Sequence, residues 1–367
     1  MIACSPYAQL IPLWMWYCVK VRRILMTEAE VSYHAIRNSV AFAEEPELRC
    51  LQLTGSQAFD ALDAVCPCDI FLQDGQMKHT LLLDDTGIPF ADVYVCREGE
   101  NAYLIGYGSG ADEIANWVTY HATGITDFSI VDLGESYDNL TIDGPYAWEL
   151  CAEVFGPDIL GLPYLGMLVL DAMFVFRAGR TGEYGYHLLV PTDQKERWVE
   201  NLLATGAAFE MARADESVRA QCVLESFFFD INREGQYHLT PLELQLQWRL
   251  SSQKTTYPGA EALHTLRHSG WTRRLTCFAT PDPVNADAEI TCDDEIVGHV
   301  LVAGYSPARG DCVGKALLNE PYWHAGLDAF QVGGIPLKTI STPAINNLSL
   351  KVSPYRHSFH TRAEDLS

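Results

Sequence analysis

Residues 79–108, HTLLLDDTGIPFADVYVCREGENAYLIGYG, restrict the possible folds more than any other stretch of this chain. Three apolar or alternating runs of strand length are separated by Asp85-Thr86-Gly87 and by Glu98-Gly99-Glu100-Asn101. Such short, turn-rich separators predict three strands joined by hairpin turns. Helices are predicted on either side. LRCLQL (48–53), Thr54-Gly55-Ser56 and QAFDALDAV read as strand, turn and helix, with Ser56 as the N-cap, and residues 112–122 form a helix stopped near Gly124. A second round is expected from a strand through FSIVDL (128–133), then the step Asp143-Gly144-Pro145 into the helix YAWELCAEVFG. Thr192 is placed to cap the helix DQKERWVENLLAT, which ends at Gly206, and TEAEVSYHAIRNSV after Met26 reads as a helix entry. Residues 214–226 form another helix, with Arg219 and Glu225 near its far end. Beyond about residue 265 the pattern changes to short strands, RLTCFAT, EIVGHVLVAGYSP, GKALLNE and IPLKTI, as in a small barrel. The architecture predicted is α+β followed by all-β.

With 367 residues the chain is long enough for two or three domains with real cores. Its net charge of -23 repels nucleic acid and anionic membranes at long range, and no local basic patch offsets it. Eleven cysteines at irregular spacing, one necessarily unpaired, do not make a secreted disulfide framework, which favours the reducing cytoplasm. Cys66-Pro67-Cys68 lacks partner ligands and reads as packing, and His357 and His360 near the chain end read as exposed and idle, so no metal is expected. Residues 1–25 carry an apolar run too short for a bilayer, with Lys20, Arg22 and Arg23 after it rather than before. They are expected to be an extension outside the fold.

One stretch resists a purely structural reading. GRTGEYGYHLLVP (179–191) gathers Gly179, Gly182 and Gly185 with Arg180, Glu183, Tyr186 and His187 before it becomes an alternating strand. Glycines there serve either a bulged hairpin or the close approach of backbone and polar side chains to a ligand.

In chain order, TGEYGY (181–186), LTPLELQLQW (239–248), PGAEAL (258–263), VGHVLVAGYSP (297–307) and IPLKTISTP (335–343) resemble the aminomethyltransferase family. This family comprises the T-protein of the glycine cleavage system and its tetrahydrofolate-dependent demethylase relatives. SYHAIRNSVAF, LRCLQLTGSQAFDAL and IDGPYA extend the likeness over about residues 28–345. The resemblance implies a three-lobed ring with the folate in its central hole. The lobes would be a central α+β domain from 26–50 and 137–262, a second α+β domain from 51–136, and a C-terminal β-barrel from 263–367.

By the same resemblance, Asp92 in PFADVYV takes the place of the family's catalytic aspartate. It would orient a proton or stabilise positive charge as one carbon moves to the folate. VRAQCVLESF matches the helix pattern ARDSLRLEAG, so Arg219 and Glu225 keep two folate-site residues, whereas Ala220 and Val223 replace an aspartate and an arginine. Tyr94, Tyr186 and Trp248 would wall the pocket, and Tyr355 would lie at the folate's outer rim. Three positions depart from the family: His187 stands where a glutamate grips the pterin, Arg180 where tyrosine is usual, and Tyr107 in place of asparagine. A neutral imidazole offers one acceptor and one donor, so the two-point grip of a carboxylate is lost.

The function expected is a tetrahydrofolate-dependent one-carbon transferase acting on a small methylated or aminomethylated donor. Docking of an acidic carrier protein is not expected at a net charge of -23. The alternative is a relative that has given up folate and uses the same pocket for another small substrate. A non-enzymatic assembly factor is a third reading, but its KGCYxGQE-like signature is missing from SFFFDINREGQYHL.

Overall fold

The computed structural model describes residues 26–362, so the expectation for residues 1–25 lies outside it. Helix α1 (Glu28–Asn38) opens on a reciprocal cap. The Thr27 side chain accepts from the Glu30 amide, while the Glu30 carboxylate accepts from the Thr27 amide at 2.8 Å. Strand β1 (Ala41–Glu44) follows, then β2 (Arg49–Thr54) and α2 (Ala58–Val65). The predicted meander is β3 (Met77–Leu83), β4 (Pro89–Glu98) and β5 (Asn101–Gly108), paired antiparallel with one register shift between Leu82 and Leu83. After α3 (Ala111–His121), β6 (Ser129–Asp132) completes a five-stranded sheet in the order β3-β4-β5-β2-β6.

A second, six-stranded sheet takes β1, β7 (Tyr137–Asp143), β8 (Met167–Leu170), β9 (Met173–Phe176), β10 (Gly185–Pro191) and β11 (Ala212–Arg213) in the order β11-β1-β7-β10-β9-β8. Helices α4 (Ala147–Phe155) and α5 (Lys195–Gly206) cover one face of it. Helix α6 (Glu216–Glu225), the short α7 (Ile231–Glu234) and α8 (Ala260–Ser269) lead to the last lobe. There β12 (Arg273–Thr280), β13 (Glu289–Cys292), β14 (Glu295–Ser306), β15 (Asp311–Asn319), β16 (Phe330–Val332) and β17 (Ile335–Thr339) close a barrel.

Three local expectations fail. The strand leading into Asp143-Gly144-Pro145 is β7, whose alternation of Leu140 and Ile142 is masked by polar neighbours, whereas FSIVDL supplies the edge strand β6 of the other sheet. Ser56 does not cap α2, because its hydroxyl and amide are taken by the Asp127 carboxylate. Thr192 opens a 3₁₀ turn over 192–194 rather than capping α5 directly.

Strand periodicity positions the site. Along β4, Ala91, Val93 and Val95 point beneath α2 and α3, so Tyr94 and Cys96 fall on the opposite face, as does Asp92. Along β10, Leu188 and Val190 pack beneath α4 and α5, which leaves Leu189 on the other face together with His187. That second face of each sheet meets Leu239, Leu242, Leu244, Leu246 and the barrel residues Leu275 and Leu301 in one apolar seam. The polar side chains at the centre of the molecule therefore arise from the alternate positions of strands whose other faces are ordinary core.

Candidate active site

Asp92 is 3 % exposed, and its Oδ1 accepts two hydrogen bonds of 2.6 Å, one from Arg249 Nη1 and one shared with His79 Nε2. Burial alone would raise its pKa, but Arg249 and then His79 outweigh it and hold the carboxyl at about 2. Asp92 is therefore an anion throughout the physiological range. The His79 ring stacks on Tyr94, with centroids 4.1 Å apart, and Trp248 presents an edge 6.1 Å away. Trp248 is 64 % exposed and stands at the outer end of this group.

Asp92 pairs across β4 and β5 with Tyr107, and the Arg180 guanidinium lies over the Tyr107 ring at 4.4 Å. Arg180 Nη2 donates to the Phe229 carbonyl at 3.1 Å and lies 3.4 Å from Asp230. Arg219 makes a close ion pair with Glu45, and its Nε is 3.9 Å from Asp143. Together Tyr107, Arg180, Arg219, Glu45 and Asp230 line a cavity of about 410 Å³. His187 lies near Arg180 and Arg219. Burial and these two charges push its pKa down to about 3, so its ring is neutral.

The polar atoms here are under-used. Among the described residues, Tyr94 Oη, Tyr107 Oη, Thr141 Oγ1, Arg180 Nε, Arg219 Nε and both ring nitrogens of His187 are buried without a well-formed hydrogen bond. Thr141 is the cross-strand partner of His187. Of these residues Tyr107, Arg180 and Arg219 line the cavity, whereas Asp92, Tyr94, His187 and Thr141 are not part of its lining. Buried polar atoms are normally satisfied, and so many orphans in one place mark a ligand-binding surface.

The other residues singled out in the sequence lie elsewhere. Tyr186 points away from His187 into the core under α4 and α5. Glu225 is fully buried and engaged by Arg37 (2.6 Å), Tyr33 (2.8 Å) and Ser306 (2.6 Å), so it joins α1, α6 and the barrel. Tyr355 is 84 % exposed and does not line the cavity. His360 sits 3.2 Å from Glu153 on the surface, and His357 Nδ1 accepts from the Ser353 amide.

The glycines of the 179–191 stretch have a packing explanation. A Cβ at Gly179 would lie 2.8 Å from the Gly185 Cα, so the two arms of the hairpin close backbone to backbone. Gly182, at φ +86°, abuts Asn347 and Ser226. Glu183 accepts from the Leu348 and Ser349 amides, which fastens the turn to the C-terminal segment.

His79 and Arg249 were missed by sequence reasoning. His79 lies opposite Tyr94 in the β3–β4 register, and counting back through the hairpin turn would have put it diagonally beside Asp92. No local signal marks Arg249, which is 157 positions away from its partner.

A second, larger groove of about 1070 Å³ runs between α1, α6 and the β14–β15 turn, but none of Asp92, Arg180 or Arg219 lines it.

A family model described as the GCVT N-terminal domain matches residues 10–254, about two thirds of the chain. The chain belongs to the aminomethyltransferase, or T-protein, family. An aminomethyltransferase from Listeria monocytogenes serotype 4b (strain F2365) is 23% identical over 329 residues, covering 86% of this chain and 89% of its own length. One from Clostridium botulinum (strain Okra / Type B1) is 25% identical over 308 residues, covering 81% and 82%. The crystal structure of glycine cleavage system aminomethyltransferase T from Bartonella henselae superimposes with a TM-score of 0.79 at 20% identity, covering 87% of this chain and 90% of that one. The fold of this T-protein relative is thus the expected α+β assembly with a C-terminal barrel. Among the described residues, no helix is long and apolar enough to cross a membrane.

Proposed function

We propose that this chain is a T-protein-like transferase that passes a methyl or aminomethyl group from a small donor to tetrahydrofolate in the cytoplasm. The observation that supports it best is an anionic, doubly held Asp92 whose cross-strand partner Tyr107 lines the cavity, together with the buried, unsatisfied polar atoms of Tyr107, Arg180 and Arg219 on its wall and of Tyr94, Thr141 and His187 behind it. Those atoms suit a flat heterocycle that presents both donors and acceptors. The hydroxyls of Tyr94, Tyr107 and Thr141 can give or take a hydrogen bond, Arg180 and Arg219 donate, and neutral His187 offers one of each. These residues would hold the folate, and tetrahydrofolate, when bound, supplies the nucleophilic nitrogen that receives the one-carbon unit.

Asp92 keeps its negative charge where positive charge develops on the moving carbon, and Arg249 fixes its orientation. Surrounding walls of Tyr94, Tyr107 and the Arg180 stem exclude water, which strengthens that interaction. A small donor fits better than an acidic carrier protein, which the net charge of -23 would repel.

Calorimetry with tetrahydrofolate tests the reading. Binding in the micromolar range supports it, and no heat at millimolar concentration removes folate. The second result would favour an enzyme of the same family using this cavity for a different small substrate, a reading that His187, in place of the pterin-gripping acid, specifically supports.

A further inference from the structure

Asp92 shares its charge with an imidazole whose other nitrogen is free. The hydrogen in the 2.6 Å contact between Asp92 Oδ1 and His79 Nε2 must sit on Nε2, because an ionised carboxylate only accepts. Burial, reinforced by Arg249 and opposed by Asp92, lowers the pKa of His79, so the ring is neutral at pH 7 and carries a single proton. Nδ1 is therefore a bare lone pair. It makes no hydrogen bond among the described residues and, unlike the two nitrogens of His187, it is not sealed from its surroundings.

The ring is firmly placed. Tyr94 of β4 stacks on it, Phe228 from the loop after α6 lies nearly parallel at 6.4 Å, and Trp248 stands at its edge. The charged groups around it are Asp92 from β4, Arg249 from the 247–249 turn and Arg180 from the β9–β10 hairpin. Asp92 itself is a poor proton acceptor, since a carboxyl held near 2 is far from the pH at which it must work.

The geometry points to His79 as the proton-carrying residue of this site, with Asp92 as its positioning partner. As the nitrogen nucleophile forms its bond to carbon, it releases a proton to His79 Nδ1. The same proton passes to the leaving group as the donor's bond to carbon breaks, and the ring returns to its starting state. This assignment rests on the one-carbon transfer proposed at Asp92, and it adds a base that the family resemblance did not supply.

The tautomer is directly observable. In protein labelled with ¹⁵N-histidine, long-range ¹H–¹⁵N correlation spectra would show His79, identified by its loss in His79→Gln or His79→Asn, as the Nε2–H form at pH 7. Nδ1 would gain its proton only below the ordinary histidine range. An Nδ1–H tautomer at pH 7 overturns the assignment, and this measurement needs no donor.

Kinetics supply the second arm, with tetrahydrofolate and whichever small N-methyl amine from a panel the wild type turns over. Glutamine at 79 can still donate to Asp92 but cannot take a proton, so kcat should fall by about 10²–10⁴ with KM nearly unchanged. The low-pH limb of the kcat profile should vanish with it. Retained kcat in His79→Gln overturns the proposal. Failure of the wild type to bind tetrahydrofolate would instead sink the functional reading and leave the tautomer result standing.

Discussion

Replacing Arg249 by methionine removes one half of a buried ion pair while roughly keeping its bulk. Arg249 is 2 % exposed and Asp92 3 %, and their contact is 2.6 Å, so water cannot take the arginine's place. Breaking such a pair leaves an uncompensated buried charge and should cost roughly 3–5 kcal/mol at pH 7. The pH dependence is the more diagnostic part. In the wild type, the fall of the Asp92 pKa from 3.8 to about 2 is a stabilisation of roughly 2 kcal/mol. It is fully present above the unfolded value near 4 and is lost as pH falls through about 2. Removing Arg249 takes away the largest influence that lowers this pKa and leaves burial, which raises it, opposed only by His79 and Arg180. The carboxyl then titrates higher than in the wild type, and the variant's penalty is greatest at neutral pH and relieved as acid protonates Asp92. Urea unfolding of both proteins at pH 7 and at about pH 3, between the wild-type and unfolded values, should therefore give a stability gap that narrows on acidification. A gap below about 1 kcal/mol at pH 7, or one independent of pH, would refute the claim that Arg249 holds Asp92 as an anion.

Three further outcomes can be checked. His187, with its pKa depressed to about 3, binds its proton in the unfolded chain first, so its share of stability is whole above the unfolded value near 6.5 and declines as pH falls towards 3. His187→Phe should flatten that part of a stability-versus-pH curve. His187→Glu should restore a two-point acceptor and tighten tetrahydrofolate by about 5- to 150-fold in calorimetry, equivalent to about 1–3 kcal/mol, and unchanged affinity would argue that the ligand does not reach β10. Lys315 and Glu234, each 1 % exposed and 2.9 Å apart, tie the barrel to the loop that carries Phe228 and Asp230. Lys315→Met alone should destabilise by about 3–5 kcal/mol in denaturant melts, and adding Glu234→Leu should recover most of the loss.

Much of this fold could be read from local pattern. The β3–β5 meander, the capping box at Thr27 and the run of barrel strands all follow from signals a few residues long, which composition and spacing reveal. β7 did not, because Asp138, Asn139 and Thr141 obscure its alternation and its burial comes from pairing with β1 and β10. The site divides the same way. Asp92, Arg180 and Arg219 sit in recognisable segments, whereas Tyr186 was assigned to the cavity although strand alternation turns it opposite to His187. Glu225 looked like a ligand group, yet Arg37, Tyr33 and Ser306 consume its carboxylate, contacts that only the docking of three elements creates. Arg249 belongs to the same class: its meaning comes from where the chain returns.

Glu183 holds the amides of Leu348 and Ser349, while Gly182 rests against Asn347. Residues 347–349, more than 160 positions downstream, are therefore the clasp on the hairpin that carries Arg180 to the cavity wall. A ribosome that has not yet released them has not made a finished pocket, however complete the two sheets already are. Ligand affinity should therefore appear during synthesis only after the barrel strands that precede this clasp have emerged.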